Sequence, residues 1–227
     1  KNMEDKREKL RGIQRKAAQR LLQSKTEIPH VTTIREVRMD SIVKLRNAIN
    51  ERNPDNKVSY MPFIIKAVIE GIKKYPIFNA NLEGDEIVYH KNINMGVAIT
   101  VGENLIVPVM HNVQDMAFEE ICIKFNDLTK RARDNQLKMA DFTGGTFTIT
   151  NSGALGGEIF TPIIIYPESA ILGLGRIKEK PIVDNGNIII CPMIYLCLSY
   201  DHRIINGSQA VTLLGFIDSF LQNPNIS

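Results

Sequence analysis

A histidine followed four residues later by an amide, on one loop, is an arrangement that can move a proton. His202 and Asn206 stand that way in Asp201-His202-Arg203-Ile204-Ile205-Asn206-Gly207. The apolar run Met193 to Tyr200 before the loop reads as a buried strand. Ser208 is a fitting cap for a helix that follows, with Val211, Leu214, Phe216, Ile217, Phe220 and Leu221 along one face. The imidazole is thus presented where a strand breaks, and Asn206 can reach back to it, which is how a general base is commonly built. A second constellation lies upstream, in Gly144-Gly145-Thr146-Phe147-Thr148-Ile149-Thr150-Asn151-Ser152-Gly153. Alternation along a strand points Thr146, Thr148 and Thr150 to one face, with Thr150 at the strand's end. Hydroxyl, amide and backbone N–H groups crowd together there and could stabilise a developing oxyanion. Plainer readings stand beside both: a structural histidine, and a β-branched strand ending in an ordinary turn. No Gly-x-Ser-x-Gly elbow and no cysteine beside a base supports a covalent hydrolase. Gly173-Leu174-Gly175 and Gly156-Gly157 are incomplete as nucleotide motifs.

The elements that would position these groups alternate along the chain. Periodicity predicts helices over 9–24, from Asp40 to about Arg52, over Met61–Lys74 with Ser59 as cap, over Ala117–Ala132 and after Ser208. Strands are expected at Arg35–Met39, Ile87–His90, Thr146–Thr150, Ser169–Ile177 and Ile188–Tyr200. A hairpin is expected from Val97–Val101 and Leu105–Met110 around Gly102-Glu103-Asn104. No Pro/Gly/Ser-rich linker interrupts the chain after about residue 25 and no internal repeat is visible. The pattern is that of one α/β domain with a mixed sheet flanked by helices. Residues 1–25 read as the end of an interdomain linker and a first helix, and residues 26–227 as the core domain.

Composition narrows the classes. With 227 residues, 44% of them hydrophobic, the chain can bury a sizeable core. Its apolar runs are far shorter than the roughly 20 residues of a membrane span, and no secretory leader is legible. Cys122, Cys191 and Cys197 sit in apolar segments without a CxxC spacing, which suggests reduced core thiols in a reducing compartment. His30, His90, His111 and His202 are scattered, so no metal site is expected. Residues 1–20 carry eight Lys/Arg against three acids, leaving the remainder at −2. Leu10, Ile13, Ala17, Leu21 and Leu22 interleave with those charges, and no aromatic accompanies them. A solvated helix face is favoured over a nucleic-acid patch. The chain begins in charged sequence without an initiator Met and looks like a fragment of something longer.

Taken together, Asp201-His202-Arg203-x-x-Asn206-Gly207 and Gly144-Gly145-Thr-Phe-Thr-Ile-Thr150-Asn151 resemble the catalytic domain of the dihydrolipoamide acyltransferases. These are the E2 cores of 2-oxo acid dehydrogenase complexes. Ile28-Pro29-His30-Val31-Thr32, Phe63-Ile64-Ile65-Lys66-Ala67, Phe78-Asn79-Ala80, Leu105-Ile106-Val107-Pro108-Val109 and Ser169-Ala170-Ile171-Leu172-Gly173 agree in order and spacing over roughly residues 10 to 222. The resemblance implies a chloramphenicol acetyltransferase-like two-layer fold, assembled as homotrimers that build a larger cage of 24 or 60 subunits. It implies an active site between two subunits, entered by dihydrolipoamide from one end and coenzyme A from the other. Implied partners are the lipoyl domain and, through domains outside this stretch, the E1 and E3 components. Nucleic acid and membrane are not expected partners. The setting is the cytoplasm of a prokaryote or the mitochondrial matrix of a eukaryote.

By position, the resemblance makes His202 the general base that takes a thiol proton, and Thr150 of the neighbouring subunit the donor to the oxyanion. Thiols ionise near ~8.5 and imidazoles near ~6.5, so that transfer is feasible around neutral pH. Asn206 is the orienting partner of His202, where the commoner motif has Asp. Arg46, Ser59, Asn151 and Gly175 fall at the coenzyme A positions, and Thr100 stands where the family can have Asp. Two other readings stay open: a catalytically weak scaffold of the same fold, and a chloramphenicol-type O-acetyltransferase. The acyl group is not legible, because acetyl, branched-chain and succinyl pockets differ by few residues.

Overall fold

The computed structural model describes residues 5, 7–102 and 104–226, and the side chain of Ile13 is also outside the description. Lys1, Glu4 and Lys6 of the basic arm, and Glu103 of the expected turn, lie outside the described residues. The helices are α1 (Gly12–Glu27), α2 (Asp40–Arg52), α3 (Met61–Lys74), α4 (Phe118–Arg133) and α5 (Gly207–Gln222). The strands are β1 (His30–Arg38), β2 (Ala80–Glu83), β3 (Glu86–Tyr89), β4 (Met95–Val97), β5 (Ile99–Val101), β6 (Asn104–Ile106), β7 (Val109–Met110), β8 (Phe147–Asn151), β9 (Ala170–Leu174), β10 (Lys178–Asp184) and β11 (Asn187–Asp201). Seven strands form one mixed sheet in the order β1-β11-β9-β8-β4-β7, with β10 paired to β11. β8 runs parallel to β4 and β9, and the other pairs are antiparallel.

The sheet's two faces follow from its alternation. Phe147 and Ile149 of β8, with Ala170, Leu172 and Leu174 of β9, join the main core beneath helices α3, α4 and α5. Within that layer α3 crosses α5 closely at Gly71. A Cβ there would come within 2.7 Å of Leu213 Cδ1, so Leu213 would have to shift to admit one. The other face carries Thr148, Ile171 and Ser199 in one register row. It is covered by Ile164 and by Ile28 at the end of α1, which form a small second core with Ile171.

Several elements differ from the sequence reading, each for a local reason. β1 begins at His30, five residues earlier than expected, because its full length pairs with β11 from Asp201 back to Met193. The expected Val97–Met110 hairpin is split. β5 and β6 pair with each other, while β4 and β7 belong to the main sheet. Pro108 separates β6 from β7 and has no N–H to offer a ladder. β10 is absent from the expected strands, because Lys178-Glu179-Lys180 opens it with charge and Pro181 interrupts it. The signal was nonetheless present in Asn185-Gly186, both at positive φ (48° and 79°), as a two-residue hairpin turn demands. Ser59 does not cap α3, whose cap position is Tyr60. The helix at the chain start runs from Gly12 to Glu27, three residues later at each end than expected, with Leu21 and Leu22 exposed on it and Leu10 exposed before it.

Candidate active site

The loop that presents His202 is built on Asp201, the buried last residue of β11. Its Oδ1 accepts from the Arg203 backbone N–H and from Arg203 Nε, both at 3.0 Å, and its Oδ2 accepts from Nη2 at 2.6 Å. That ion pair holds the guanidinium pKa above its ordinary value. The Asp201 carbonyl accepts from Ile204 and Ile205 N–H groups, and Ile205 anchors the turn in the core. His202 N–H donates to Pro29 O at 3.2 Å, which ties the loop to the chain entering β1. The imidazole itself is exposed, with its ring centre 5.8 Å from that of Tyr200.

Asn206 is placed differently from the expectation. Its Oδ1 accepts from Gln209 N–H at 3.0 Å and from Ser208 Oγ at 2.6 Å, while Gln209 Oε1 accepts from Asn206 N–H at 2.8 Å. This is a reciprocal capping box, so Asn206 and not Ser208 caps α5. These bonds run forward into the helix and none goes back to His202.

On β8, Thr148 and Thr150 share the face away from the helices, as alternation requires, whereas Thr146 stands just before the strand and bonds the backbone of Asn94. Thr146 and Thr148 are buried, and Thr150 is half-buried at the strand's end. Thr148 Oγ1 donates to Glu168 Oε1 at 2.9 Å. Glu168 is buried and its Oε2 has no partner among the described residues. Burial pushes its carboxyl up to about 8 against the smaller opposing effect of the Thr148 bond. Neither the sequence motifs nor the resemblance pointed to this acid.

The residues expected to meet coenzyme A gather at the same end of β8 as Thr150. Asn151 Oδ1 accepts from Gly153 N–H at 2.8 Å, and its Nδ2 lies 3.7 Å from Met61 Sδ in the first turn of α3. Ser59 is exposed just before that turn. Arg46 stacks its guanidinium 4.6 Å above the Tyr60 ring and donates from Nε to Val58 O at 3.0 Å. A shallow cavity of about 400 Å³ opens beside Arg46, Asn50 and Lys57. Gly175 follows β9, where a Cβ would stand 2.0 Å from Glu158 O, so only glycine allows this approach of two backbones. Thr100 is exposed on β5.

One chain does not bring His202 and Thr150 together. Thr150 pairs with Gly173 and Gly173 with Cys197, whereas His202 lies five residues beyond Cys197. At ~3.3 Å per residue and ~4.8 Å per strand, roughly 20 Å separates them. Thr150 and the residues expected to meet coenzyme A lie toward one end of the sheet, and the histidine loop lies at the other. Among the described residues, no group of three or more His, Cys, Asp or Glu could hold a metal ion, and no helix is long and apolar enough to cross a membrane.

Solved structures share this arrangement of sheet and helices. A chloramphenicol acetyltransferase superposes with a TM-score of 0.60 over 89% of this chain and 94% of its own, at 15% identity, which bears on the fold alone. A dihydrolipoamide acetyltransferase from Listeria monocytogenes reaches a TM-score of 0.92 at 34% identity, over 96% of this chain and 95% of that one. The cubic core of a pyruvate dehydrogenase multienzyme complex and the dihydrolipoamide acetyltransferase of Azotobacter vinelandii both reach 0.91 at 29% identity, over 96% of this chain and 91% of theirs. The fold is thus the mixed, helix-flanked acyltransferase fold anticipated from the sequence. Residues 2–226 match the family of 2-oxoacid dehydrogenases acyltransferase (catalytic domain), and the chain belongs to that family. The succinyltransferase component of the 2-oxoglutarate dehydrogenase complex of Buchnera aphidicola is 39% identical over 99% of this chain and 58% of its own length. That of Haemophilus influenzae is 40% identical over 97% and 54%. The chain therefore spans a little over half the length of these curated relatives.

The Azotobacter study concerns a serine, a histidine and an asparagine in the catalytic mechanism of that enzyme. The serine stands 52 residues before the histidine and the asparagine four after it. In the present chain Thr150 stands 52 residues before His202, and Asn206 four after.

Proposed function

We propose that this domain transfers an acyl group between dihydrolipoamide and coenzyme A, with succinyl as the preferred group, in the core of a 2-oxo acid dehydrogenase complex. The observation that carries the reading is the shared spacing of Thr150, His202 and Asn206 with the serine, histidine and asparagine of the Azotobacter enzyme. The separation of His202 from Thr150 in one chain supports a site made where two copies meet, in a trimer that enters a larger cage. The curated succinyltransferases, at 39% and 40% identity, support the succinyl assignment over the acetyltransferases of known structure at 29% to 34%.

In this mechanism the exposed His202 imidazole takes the thiol proton of coenzyme A or dihydrolipoamide. The thiolate attacks the acyl thioester of the other, and the carbonyl oxygen gains negative charge. Thr150 of the adjoining copy donates its hydroxyl to that oxygen. Collapse expels the second thiolate, which recovers the proton from His202, so no enzyme-bound acyl group forms. Arg46, Ser59, Asn151 and Gly175 line the approach for coenzyme A. Asn206 contributes by fixing where the loop ends and α5 begins, and it supplies no negative charge to an imidazolium. The intact pair His202 and Thr150 argues against an inert scaffold.

A transfer assay tests the reading, with succinyl-, acetyl- and isobutyryl-coenzyme A offered to dihydrolipoamide and, separately, to chloramphenicol. Succinyl transfer to dihydrolipoamide should be fastest. A preference for another acyl group would remove the succinyl assignment. Transfer to chloramphenicol alone would replace the thiol acceptor, and no transfer from any donor would leave the scaffold.

A further inference from the structure

His30 is half-buried, and hydrogen bonds at both ring nitrogens dictate its protonation state. Nδ1 lies 2.8 Å from Ile28 O, a pure acceptor, so Nδ1 carries the hydrogen. Nε2 lies 3.0 Å from the backbone N–H of Ile164, a pure donor, so Nε2 must be bare. Only the neutral Nδ1–H tautomer satisfies both. The carbonyl of Ile164 is held as well, by Ser24 Oγ at 2.6 Å, and Ile28 N–H returns to Ser24 O at 3.0 Å. One imidazole therefore joins the end of α1, the start of β1 and the irregular segment 157–169. It does so directly opposite Asp201 in the β1–β11 register, one residue from the Pro29 carbonyl that holds His202 N–H.

We propose that His30 is a positioning residue for His202, a neutral clip whose protonation releases segment 157–169 and loosens the base of the histidine loop. The inference rests on the acyl-transfer reading for its effect on rate, but not for the clip itself. A second proton on Nε2 would face the Ile164 N–H, donor against donor, and that bond must open. The ionisable groups around the ring are Lys25 at the end of α1 and Asp201 on β11, the latter already paired with Arg203. Tyr166 and Glu27 stand where the segment meets α1. Burial holds the imidazole below its ordinary value of 6.5, against the smaller, opposite effect of the Ile28 bond. The folded chain thus takes up this proton less readily than the unfolded one. The stability due to the clip is full above the ordinary imidazole range and is lost as pH falls through the lowered folded value.

The experiment compares the assembled wild type with His30→Gln, whose amide oxygen can accept from Ile164 and does not titrate, and with His30→Leu, which removes the acceptor. Rates are measured against pH, and backbone hydrogen exchange is followed over residues 160–168. His30→Leu should lower kcat on the order of 10²-fold while KM for coenzyme A holds, as expected of a displaced base. It should also raise exchange at Ile164, whereas His30→Gln should retain most of both. The acid limb of kcat/KM should be steeper in wild type, where two imidazoles must be neutral, than in His30→Gln. Superimposable acid limbs, or His30→Leu with wild-type rate and exchange, would overturn the proposal. If His30→Leu does not fold, the comparison with His30→Gln decides. If no form transfers any acyl group, the functional reading has failed, and exchange alone judges the clip. Wild-type protection of residues 160–168 that is indifferent to acid, after correction for intrinsic exchange, would then refute it.

Discussion

At the scale of the residue, two side chains have environments that dictate their chemistry. His202 is held through its backbone and its neighbours, leaving the imidazole exposed. Replacing it removes the proposed base without touching the Asp201–Arg203 clamp. His202→Ala should therefore lower kcat by at least ~10²-fold, the lower range for loss of a general base, while sedimentation shows unchanged assembly. Glu168 is the opposite case, a carboxyl kept protonated by burial. Its folded value, about 8, lies above the ordinary 4.5, so the folded chain binds this proton more tightly than the unfolded chain. The associated stability is full below the ordinary carboxyl range and drains away as pH rises toward 8. Glu168→Gln keeps an acceptor for Thr148 and cannot ionise. Its Tm should exceed that of wild type at pH 8 and converge with it near pH 4.5, as thermal unfolding at the two pH values would show. His202 and Thr150 were legible in the sequence as candidates, and the roles proposed for them come from the family resemblance rather than from their neighbours. His30 was visible only as part of a motif, since one of its partners is a backbone N–H 134 residues away. Glu168 gave no signal, as a lone acid before a strand is ordinary until its burial is known.

At the scale of the element, the start of α5 shows how one residue can serve fold and site together. Asn206 closes a capping box with Gln209 and thereby fixes where the histidine loop must end. Asn206→Ala should cost about 1 kcal/mol, the usual worth of such a cap, and lower the Tm. Asn206→Asp keeps an accepting oxygen and should hold it. Calorimetry on the three forms would check this. Helices α2 to α5 were readable to within a residue or two, because each buries a periodic apolar face against one sheet. Strands were harder where pairing, not composition, sets their limits. β1 extends to His30 only because β11 is fifteen residues long, and β10 hides behind alternating charges. The break between β5–β6 and β4–β7 depends on which neighbour each strand finds, and that lies beyond any local pattern.

At the scale of the whole molecule, the two groups that the proposed mechanism joins lie at opposite ends of the sheet. A site assembled from different copies can be repaired by mixing. Thr150→Ala alone should lose on the order of 10²- to 10³-fold in rate, the usual cost of one oxyanion donor, and His202→Ala should lose at least ~10²-fold. Co-assembly of the two variants should regain activity that neither has, since some interfaces then pair an intact Thr150 with an intact His202. Activity after mixing that stays at the level of the separate variants would place both groups in one chain. The ~20 Å between them has a further consequence for the life of the protein. On the proposed mechanism, a chain newly folded and still alone possesses a complete hydrophobic core but no complete catalyst. On that mechanism it would spend no thioesters before it has met a second copy. Specific activity then becomes a function of protein concentration, and dilution silences the domain without unfolding it.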